Sequence, residues 1–321
     1  MQGLSGNNGF ADFTVSTNGI LIYATGGNPS QEREIVWLDR SGKRGKSILK
    51  QRGITDFALS PNKTKLLYSL ANQYVPGDLW LRDVERGVSQ RFTFGPYSAY
   101  SPVWSPDSTA AAFTAFPEDR LYTKRVDSSS KEEAWKVTGT NTYASSWSAN
   151  TKLLAFSQAG VTTKDDLWLL PLEGEQKPRI FRQTPYTERS GQISPDGRWM
   201  VYSSDQSGRL EVYAELIEPG STQRQISVDG GFSPHWRADG RELYFISDRR
   251  MMAVDVKPGP ELSFGAPHEL FREPTLITDG RGIAYQPSAD GTQFLALLPV
   301  GDVPITPPLT VVTNWQTVLH K

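Results

Sequence analysis

Residues 192–202 read QISPDGRWMVY and place a short turn sequence, Ser194-Pro195-Asp196-Gly197, directly before an apolar stretch. Pro and Asp favour a tight turn, and Gly supplies a positive φ where the turn needs one. The residues after the turn are the aromatic and β-branched types that favour strands. This stretch therefore predicts a β-hairpin with its two strands on either side of the turn.

The same turn recurs along the whole chain at nearly constant spacing, close to Ser-Pro-Asp-Gly in three copies and degenerate in four. Its seven copies begin at Ser16, Ser60, Ser105, Ser148, Ser194, Arg237 and Ser288. Successive copies are 44, 45, 43, 46, 43 and 51 residues apart. Each is followed by an apolar strand and then by a third strand, which in three copies contains Leu-Trp-Leu or Val-Trp-Leu. A polar fourth segment, such as residues 179–183, is typical of an outer edge strand.

Four-stranded units of about 45 residues, repeated without helices, predict a β-propeller. We predict an all-β fold, a seven-bladed β-propeller of four-stranded antiparallel blades, with six blades as the alternative. Residues 1–9 are rich in Gly and Asn. We expect them to be a flexible N-terminal segment and residues 10–321 to be a single propeller domain. Because residues 1–9 make a poor strand, closure of the seventh unit is the weak point of this prediction.

Composition restricts the partners. The net charge is -1, so no overall electrostatic attraction to nucleic acid is expected. The chain has no cysteine, which excludes disulfides and thiol catalysis. It has no signal-peptide pattern and no run of 18 apolar residues, so we expect no direct membrane insertion. We expect a monomer with a protein or peptide partner.

The repeat resembles the WD40-like repeats of TolB-type propellers. The residues that support this are 101–107 (SPVWSPD) and 166–169 (DLWL). More narrowly, the chain resembles the C-terminal propeller of bacterial transmembrane Ser/Thr protein kinases. That likeness rests on residues 78–83 (DLWLRD), 90–94 (QRFTF), 166–174 (DLWLLPLEG), 192–202 and 309–315 (LTVVTNW).

The resemblance implies a noncatalytic sensor module that binds a protein or ligand. If the chain is the kinase-linked propeller, it lies outside the cytoplasmic membrane, in the periplasm of a bacterium. The chain itself contains no kinase catalytic loop and no Asp-Phe-Gly motif.

Candidate binding residues precede the innermost strand in four successive blades. Tyr100, Tyr143, Arg189 and Phe232 each stand five residues before a turn, and Tyr97 and Tyr186 stand eight before. Aromatic and Arg side chains are enriched at binding hot spots. We expect them to form a partner-binding face, and the alternative is that they cap the cores between blades.

A second set stands two residues before the turns. It is unusually small and polar, and it comprises Thr14, Ser146, Gln192, His235 and Gln286. We expect these residues to line the central channel, and the alternative is ordinary hydrogen-bond satisfaction.

The alternative function is a propeller enzyme, a polysaccharide lyase or hydrolase, using His235 with channel carboxylates. A lone His does not make a metal site, which needs two or three converging ligands. The Asp residues of the turns fit backbone hydrogen bonding, and Asp165 and Asp166 fit solvated charges. We therefore predict no catalytic residues, no metal and no cofactor.

Overall fold

The computed structural model describes most of the chain as strands and turns, and no helix is present in the described residues. These are residues 13–16, 20–24, 32–71, 77–117, 120–127, 130–137, 139, 141–218, 220, 222–257, 259, 262–276, 285–301 and 309–313. Residues 1–9, predicted to be flexible, lie outside this part.

The described strands are, in chain order, β1 (Phe13–Val15), β2 (Ile20–Ala24), β3 (Glu32–Asp39), β4 (Arg44–Arg52), β5 (Ile54–Leu59), β6 (Lys65–Leu70), β7 (Leu79–Asp83), β8 (Ser89–Arg91), β9 (Ser98–Trp104), β10 (Ala110–Phe116), β11 (Arg120–Arg125), β12 (Glu133–Ala134), β13 (Thr142–Trp147), β14 (Leu153–Ala159), β15 (Asp165–Pro171), β16 (Arg179–Arg182), β17 (Glu188–Ile193), β18 (Trp199–Ser204), β19 (Glu211–Leu216), β20 (Arg224–Gln225), β21 (Phe232–Trp236), β22 (Glu242–Ser247), β23 (Arg250–Lys257), β24 (Ser263–Phe264), β25 (His268–Arg272), β26 (Tyr285–Pro287), β27 (Gln293–Pro299) and β28 (Leu309–Thr313).

These strands form six antiparallel blades. Blades 1 to 4 are β5–β8, β9–β12, β13–β16 and β17–β20, and blade 5 is β21–β24 with β25 also paired to β23. Blade 6 has the order β26-β27-β3-β4. The prediction of an all-β propeller is confirmed, but the main prediction of seven blades is wrong and the alternative of six is confirmed.

The first and last repeats exchange their third strands, so the described strands form six blades instead of seven. Local sequence order suggests that β3 belongs with β2, and β28 with β27. Instead β3 pairs with β27 along its whole length, from Gln293↔Asp39 to Pro299↔Arg33, and β28 pairs with β2. Ile35, Val36 and Leu38 of β3 are at most 2% exposed, so this pairing buries an apolar strand on both faces. What remains of the first repeat is a three-stranded sheet, β1-β2-β28.

Six clusters of buried apolar side chains occupy the six junctions between neighbouring blades. The junction of blades 6 and 1 contains Ile35 and Leu295 from one side and Phe57 and Tyr68 from the other. The ring is therefore closed by a packed core at every junction of the described blades. A single blade cannot bury both of its faces, so this mutual packing holds the fold together.

The recurring turn has the same hydrogen-bond pattern in blades 1, 2, 4 and 6. In blade 2, Asp107 Oδ1 accepts bonds from Ser105 Oγ at 2.6 Å and from Thr109 N at 3.0 Å. Asp290 does the same with Ser288 and Thr292 in blade 6. In these four turns the fourth residue has a positive φ, which Gly197 adopts without steric penalty. The turns thus set the start of the second strand in each blade.

Candidate functional site

The two ends of the propeller differ because the strands of each blade are antiparallel. The recurring turns between first and second strands lie at one end, which we call the turn face. The connections from second to third strand, and from fourth strand to the next blade, lie at the other end, which we call the loop face. The inner strands β26, β5, β9, β13, β17 and β21 run between the two faces around the channel.

Bulges interrupt the inner strands near their middle. The pairing register shifts in β9, β13, β17 and β21, and Ser101, Ser190 and Ser233 have φ values of 51°, 56° and 51°. A bulge bends the strand and re-aims the neighbouring side chains. These bulges were not predicted from the sequence, although a Ser four residues before the turn marks three of them.

Three of the predicted channel residues form hydrogen bonds between blades. Ser146 Oγ accepts a bond from Ile193 N at 3.1 Å, and Gln192 Nε2 donates to the carbonyl of Ser145. Gln286 bonds both backbone groups of Leu59 in blade 1. These side chains therefore join neighbouring inner strands. Thr14 lies in β1, outside the six blades, and its side chain is not among those described.

His235 differs from the other residues of this set because it packs against an aromatic ring. Its ring lies edge-on to that of Tyr285, with centroids 5.0 Å apart. Burial lowers the pKa of His235 to about 4, so the imidazole is neutral at pH 7. Within the described ranges, no three His, Asp or Glu side chains are placed to hold a metal ion.

Three of the six predicted binding-face residues come together across blades 2 to 4. The rings of Tyr100 and Tyr143 have centroids 5.8 Å apart. Tyr143 and Arg189 line one small cleft with Ser145 and Asp165. The cleft has a volume of about 30 Å³, the space of roughly one water molecule. The residues thus form a nearly continuous surface rather than a deep pocket.

The other three predicted binding residues lie apart from this group. Phe232 packs against the core between blades 5 and 6. Tyr97 packs against the core between blades 1 and 2, where its ring lies 5.0 Å from that of Tyr122. The Tyr97 hydroxyl is buried without a hydrogen-bond partner, and burial raises its pKa. Tyr186 is on the loop face and 44% exposed.

The loop face also has exposed apolar side chains, of which only Tyr186 was predicted from the sequence. They lie in the connections of blades 1 to 4 and comprise Phe94, Phe116, Val161, Tyr186 and Val228. Phe94 is 64% exposed, and the Lys124 ammonium lies 5.0 Å from its ring centroid. The loop face of blades 1 to 4 therefore has several exposed apolar side chains in addition to the Tyr100–Tyr143 pair.

Two buried carboxylates, Asp166 of blade 3 and Glu188 of blade 4, belong to the same region of the propeller. Asp166 is 1% exposed, so its interpretation as a solvated charge is wrong. Its Oδ2 accepts a bond from Thr163 Oγ1 at 2.7 Å, whereas its Oδ1 and Glu188 Oε2 have no partner. Burial raises the pKa of Glu188, and the nearby charge of Asp166 adds to this effect.

A closed ring of six four-stranded blades, with packed junctions and interblade hydrogen bonds, defines a β-propeller. The model of the TolB β-propeller domain family matches residues 63–301, well over half of the chain. The chain belongs to the TolB β-propeller family.

Solved structures agree with this fold. A putative TolB from Agrobacterium tumefaciens is similar with a TM-score of 0.66 and 16% identity, over 85% of this chain and all of that one. An oligogalacturonate lyase in complex with manganese is similar with a TM-score of 0.53 and 14% identity, over 91% of this chain and 96% of that one. The fold is thus shared with TolB proteins and with enzymes, and at these identities the likeness concerns the fold alone.

A curated relative matches a smaller part. Tricorn protease homolog 1 of Streptomyces coelicolor is 27% identical over an alignment of 132 positions that covers 36% of this chain. The match spans only 12% of the length of that protein. No helix formed by the described residues is long and apolar enough to cross a membrane.

Proposed function

We propose that this propeller is a noncatalytic binding module whose loop face takes up a protein or peptide segment. The observation that supports this most is the convergence of Tyr100, Tyr143 and Arg189 beside the exposed apolar side chains of the same face. Clusters of exposed apolar side chains on soluble proteins mark interaction sites. Tyr and Arg supply much of the binding energy at such sites.

The shape of this surface favours a macromolecular partner over a small substrate. Small-molecule sites are clefts of roughly 300–1,000 Å³. The cleft between Tyr143 and Arg189 is about 30 Å³. A segment lying across blades 2 to 4 could contact Tyr100, Tyr143 and Phe94 at once without needing a deep cavity. The enzyme alternative used His235, whose ring packs on Tyr285 as a neutral imidazole.

We further propose that the module is the sensor part of a bacterial transmembrane Ser/Thr protein kinase and works outside the cytoplasmic membrane. The phrases DLWLLPLEG at 166–174 and LTVVTNW at 309–315 support this parentage. Sequencing the complete reading frame that encodes the chain tests the proposed link to a kinase. A kinase domain and a membrane helix encoded upstream of Met1 are expected, and a frame without them would contradict the kinase link.

The binding surface is tested with peptides selected from a displayed library against the wild-type propeller. Their Kd is then measured on the combined variant Tyr100→Ala, Tyr143→Ala and Arg189→Ala. We expect Kd to rise at least thirtyfold, about 2 kcal/mol of binding free energy.

The matched control replaces exposed apolar residues elsewhere. Val88 and Ile180 lie in a turn-face connection and in an outer strand. Val88→Ala with Ile180→Ala should leave Kd unchanged. Wild-type affinity in the triple variant, with an unchanged unfolding curve, would refute the proposed surface.

A further inference from the structure

A second site, on the opposite face from the proposed binding surface, lies where the ring closes. A cavity of about 260 Å³ separates the turns of blades 6 and 1. Its lining residues are Trp37, Ile48, Leu59, Lys63, Val84, Ser288, Asp290, Thr292 and Gln293. They come from both ends of the chain, so the cavity exists only in the closed ring.

The inner part of the cavity is apolar. Ile48 and Leu59 belong to the core between blades 6 and 1, and Trp37 and Val84 pack against it. Leu59 is held in place by the Gln286 amide, which bonds its backbone and joins the two inner strands. The floor can therefore take an apolar or aromatic group in contact with an indole ring.

The mouth of the cavity has two opposite charges. Asp290 Oδ1 accepts the three turn bonds, from Ser288 Oγ at 2.6 Å, Thr292 N at 3.2 Å and Thr292 Oγ1 at 2.9 Å. These bonds, together with the charge of Lys63, lower the pKa of Asp290 to about 2. Among the described residues, neither Lys63 Nζ nor Asp290 Oδ2 forms an ion pair or a hydrogen bond. Both charged residues line the cavity and attract each other at a distance, but they form no direct ion pair.

At three of the other five junctions, a direct hydrogen bond joins the two turns at this level. Asn62 N donates to Ser108 Oγ between blades 1 and 2, and Asn150 Nδ2 donates to the Pro195 carbonyl between blades 3 and 4. Ala238 N donates to the Ala289 carbonyl between blades 5 and 6. In the described part of the chain, the turns of blades 6 and 1 share no such bond.

We infer that this cavity is a binding site for a free α-amino acid with an apolar side chain. The α-carboxylate would pair with Lys63 Nζ and the α-ammonium with Asp290 Oδ2, while the side chain contacts Trp37, Leu59 and Val84. A zwitterion matches both charges. A phosphate would meet the carboxylate of Asp290, and a divalent cation would meet the ammonium of Lys63. The volume lies just below the range of drug-sized ligand sites, which suits an amino acid.

Calorimetry with L-phenylalanine on the whole chain tests the site. We expect saturable binding, with at least tenfold weaker binding of 3-phenylpropionate, which lacks the ammonium, and of phenylalaninol, which lacks the carboxylate. Lys63→Asn and Asp290→Asn should each weaken binding of L-phenylalanine at least tenfold. Lys63→Asn is compatible with the positive φ of this residue. Asp290→Asn keeps the side-chain oxygen that accepts the hydrogen bonds of the turn.

Asp107→Asn is the matched control, because it makes the same change in the turn of blade 2, away from the cavity. It should bind like wild type, as should the loop-face triple variant, so this site and the proposed function fail independently. Absence of heat with 10 mM L-phenylalanine or L-leucine on folded protein would overturn the inference. Equal binding of phenylpropionate, or of inorganic phosphate, would also overturn it.

Discussion

The side chain of Gln286 forms a two-point hydrogen bond with the backbone of Leu59, across the junction that closes the ring. Leu59 N donates to Gln286 Oε1 at 2.8 Å, and Gln286 Nε2 donates to the Leu59 carbonyl at 3.0 Å. The two residues are 227 positions apart in the sequence. This bond joins the last inner strand of the chain to the first inner strand of the ring.

Gln286→Ala should therefore weaken closure of the propeller. Two backbone groups of the buried residue Leu59 lose their partners, so we expect the free energy of unfolding to fall by about 1–3 kcal/mol in urea titrations. Gln90→Ala, an exposed position on the edge strand β8, is the control and should change it by less than about 0.5 kcal/mol. Equal stability of the two variants would show that the Gln286 bond does not stabilise the ring.

Two tyrosines differ in whether their buried hydroxyl has a partner. Tyr285 is fully buried and its hydroxyl donates to the Ser233 carbonyl at 3.0 Å, whereas the buried Tyr97 hydroxyl has no partner. Tyr285→Phe should lower the free energy of unfolding by about 1–2 kcal/mol. Tyr97→Phe should leave it unchanged or raise it, since an unsatisfied polar group is removed. Equal losses in both variants would contradict this account.

His235 should make the propeller less stable in mild acid. Its folded pKa, about 4, lies below the value near 6.5 of an unfolded chain. As pH falls from about 6.5 to 4, the unfolded state takes up a proton that the folded state does not, so stability falls. The side chain is only half-buried, so we expect a loss on the order of 2 kcal/mol across this window.

Urea titrations at pH 7.5 and pH 4.5 measure this effect. His235→Gln, the residue that blades 4 and 6 have at this position, should reduce the pH dependence relative to wild type. His268→Gln, at an exposed position, should retain it. An unchanged pH dependence in His235→Gln would show that this imidazole protonates freely in the fold.

Two buried glutamates should respond in opposite ways to loss of charge. Glu211 Oε1 accepts bonds from Arg209 Nε at 2.7 Å and Gly230 N at 3.0 Å, and its Oε2 accepts one from Ser227 Oγ. Glu211→Gln turns one acceptor into a donor that faces a donor, so we expect a loss of about 1–3 kcal/mol. Glu188 Oε2 has no partner, so Glu188→Gln should be neutral or stabilising at pH 7.

The pH dependence of stability provides a second test of the role of Glu188. The folded pKa of Glu188 is raised, so its contribution to stability is present below the unfolded value and is lost as pH rises through the folded pKa. The advantage of Glu188→Gln over wild type should therefore increase from pH 4 to pH 7. A loss in Glu188→Gln as large as that in Glu211→Gln would indicate an unrecognised partner of Glu188.

Much of this protein could be predicted from sequence because its repeats are local. The turn at Ser194-Pro195-Asp196-Gly197 recurs with the same hydrogen bonds, and each turn joins two strands adjacent in the chain. Hairpins of this kind depend on residues within about 20 positions of each other, which is why strand type and order within blades 1 to 5 were predicted. The pair Tyr100 and Tyr143 also follows from the repeat, since equivalent positions of neighbouring blades lie side by side.

The sequence alone determined a propeller of antiparallel four-stranded units, through the period of its turns and its apolar strands. Only the tertiary structure decided that there are six blades, because the pairing of β3 with β27 joins residues more than 250 positions apart and follows no local signal. It also decided that Gln286 bonds Leu59, that Tyr97 and Phe232 pack on cores, and that Lys63 faces Asp290. These relationships depend on how the ring closes, and closure is a property of all six packed junctions together.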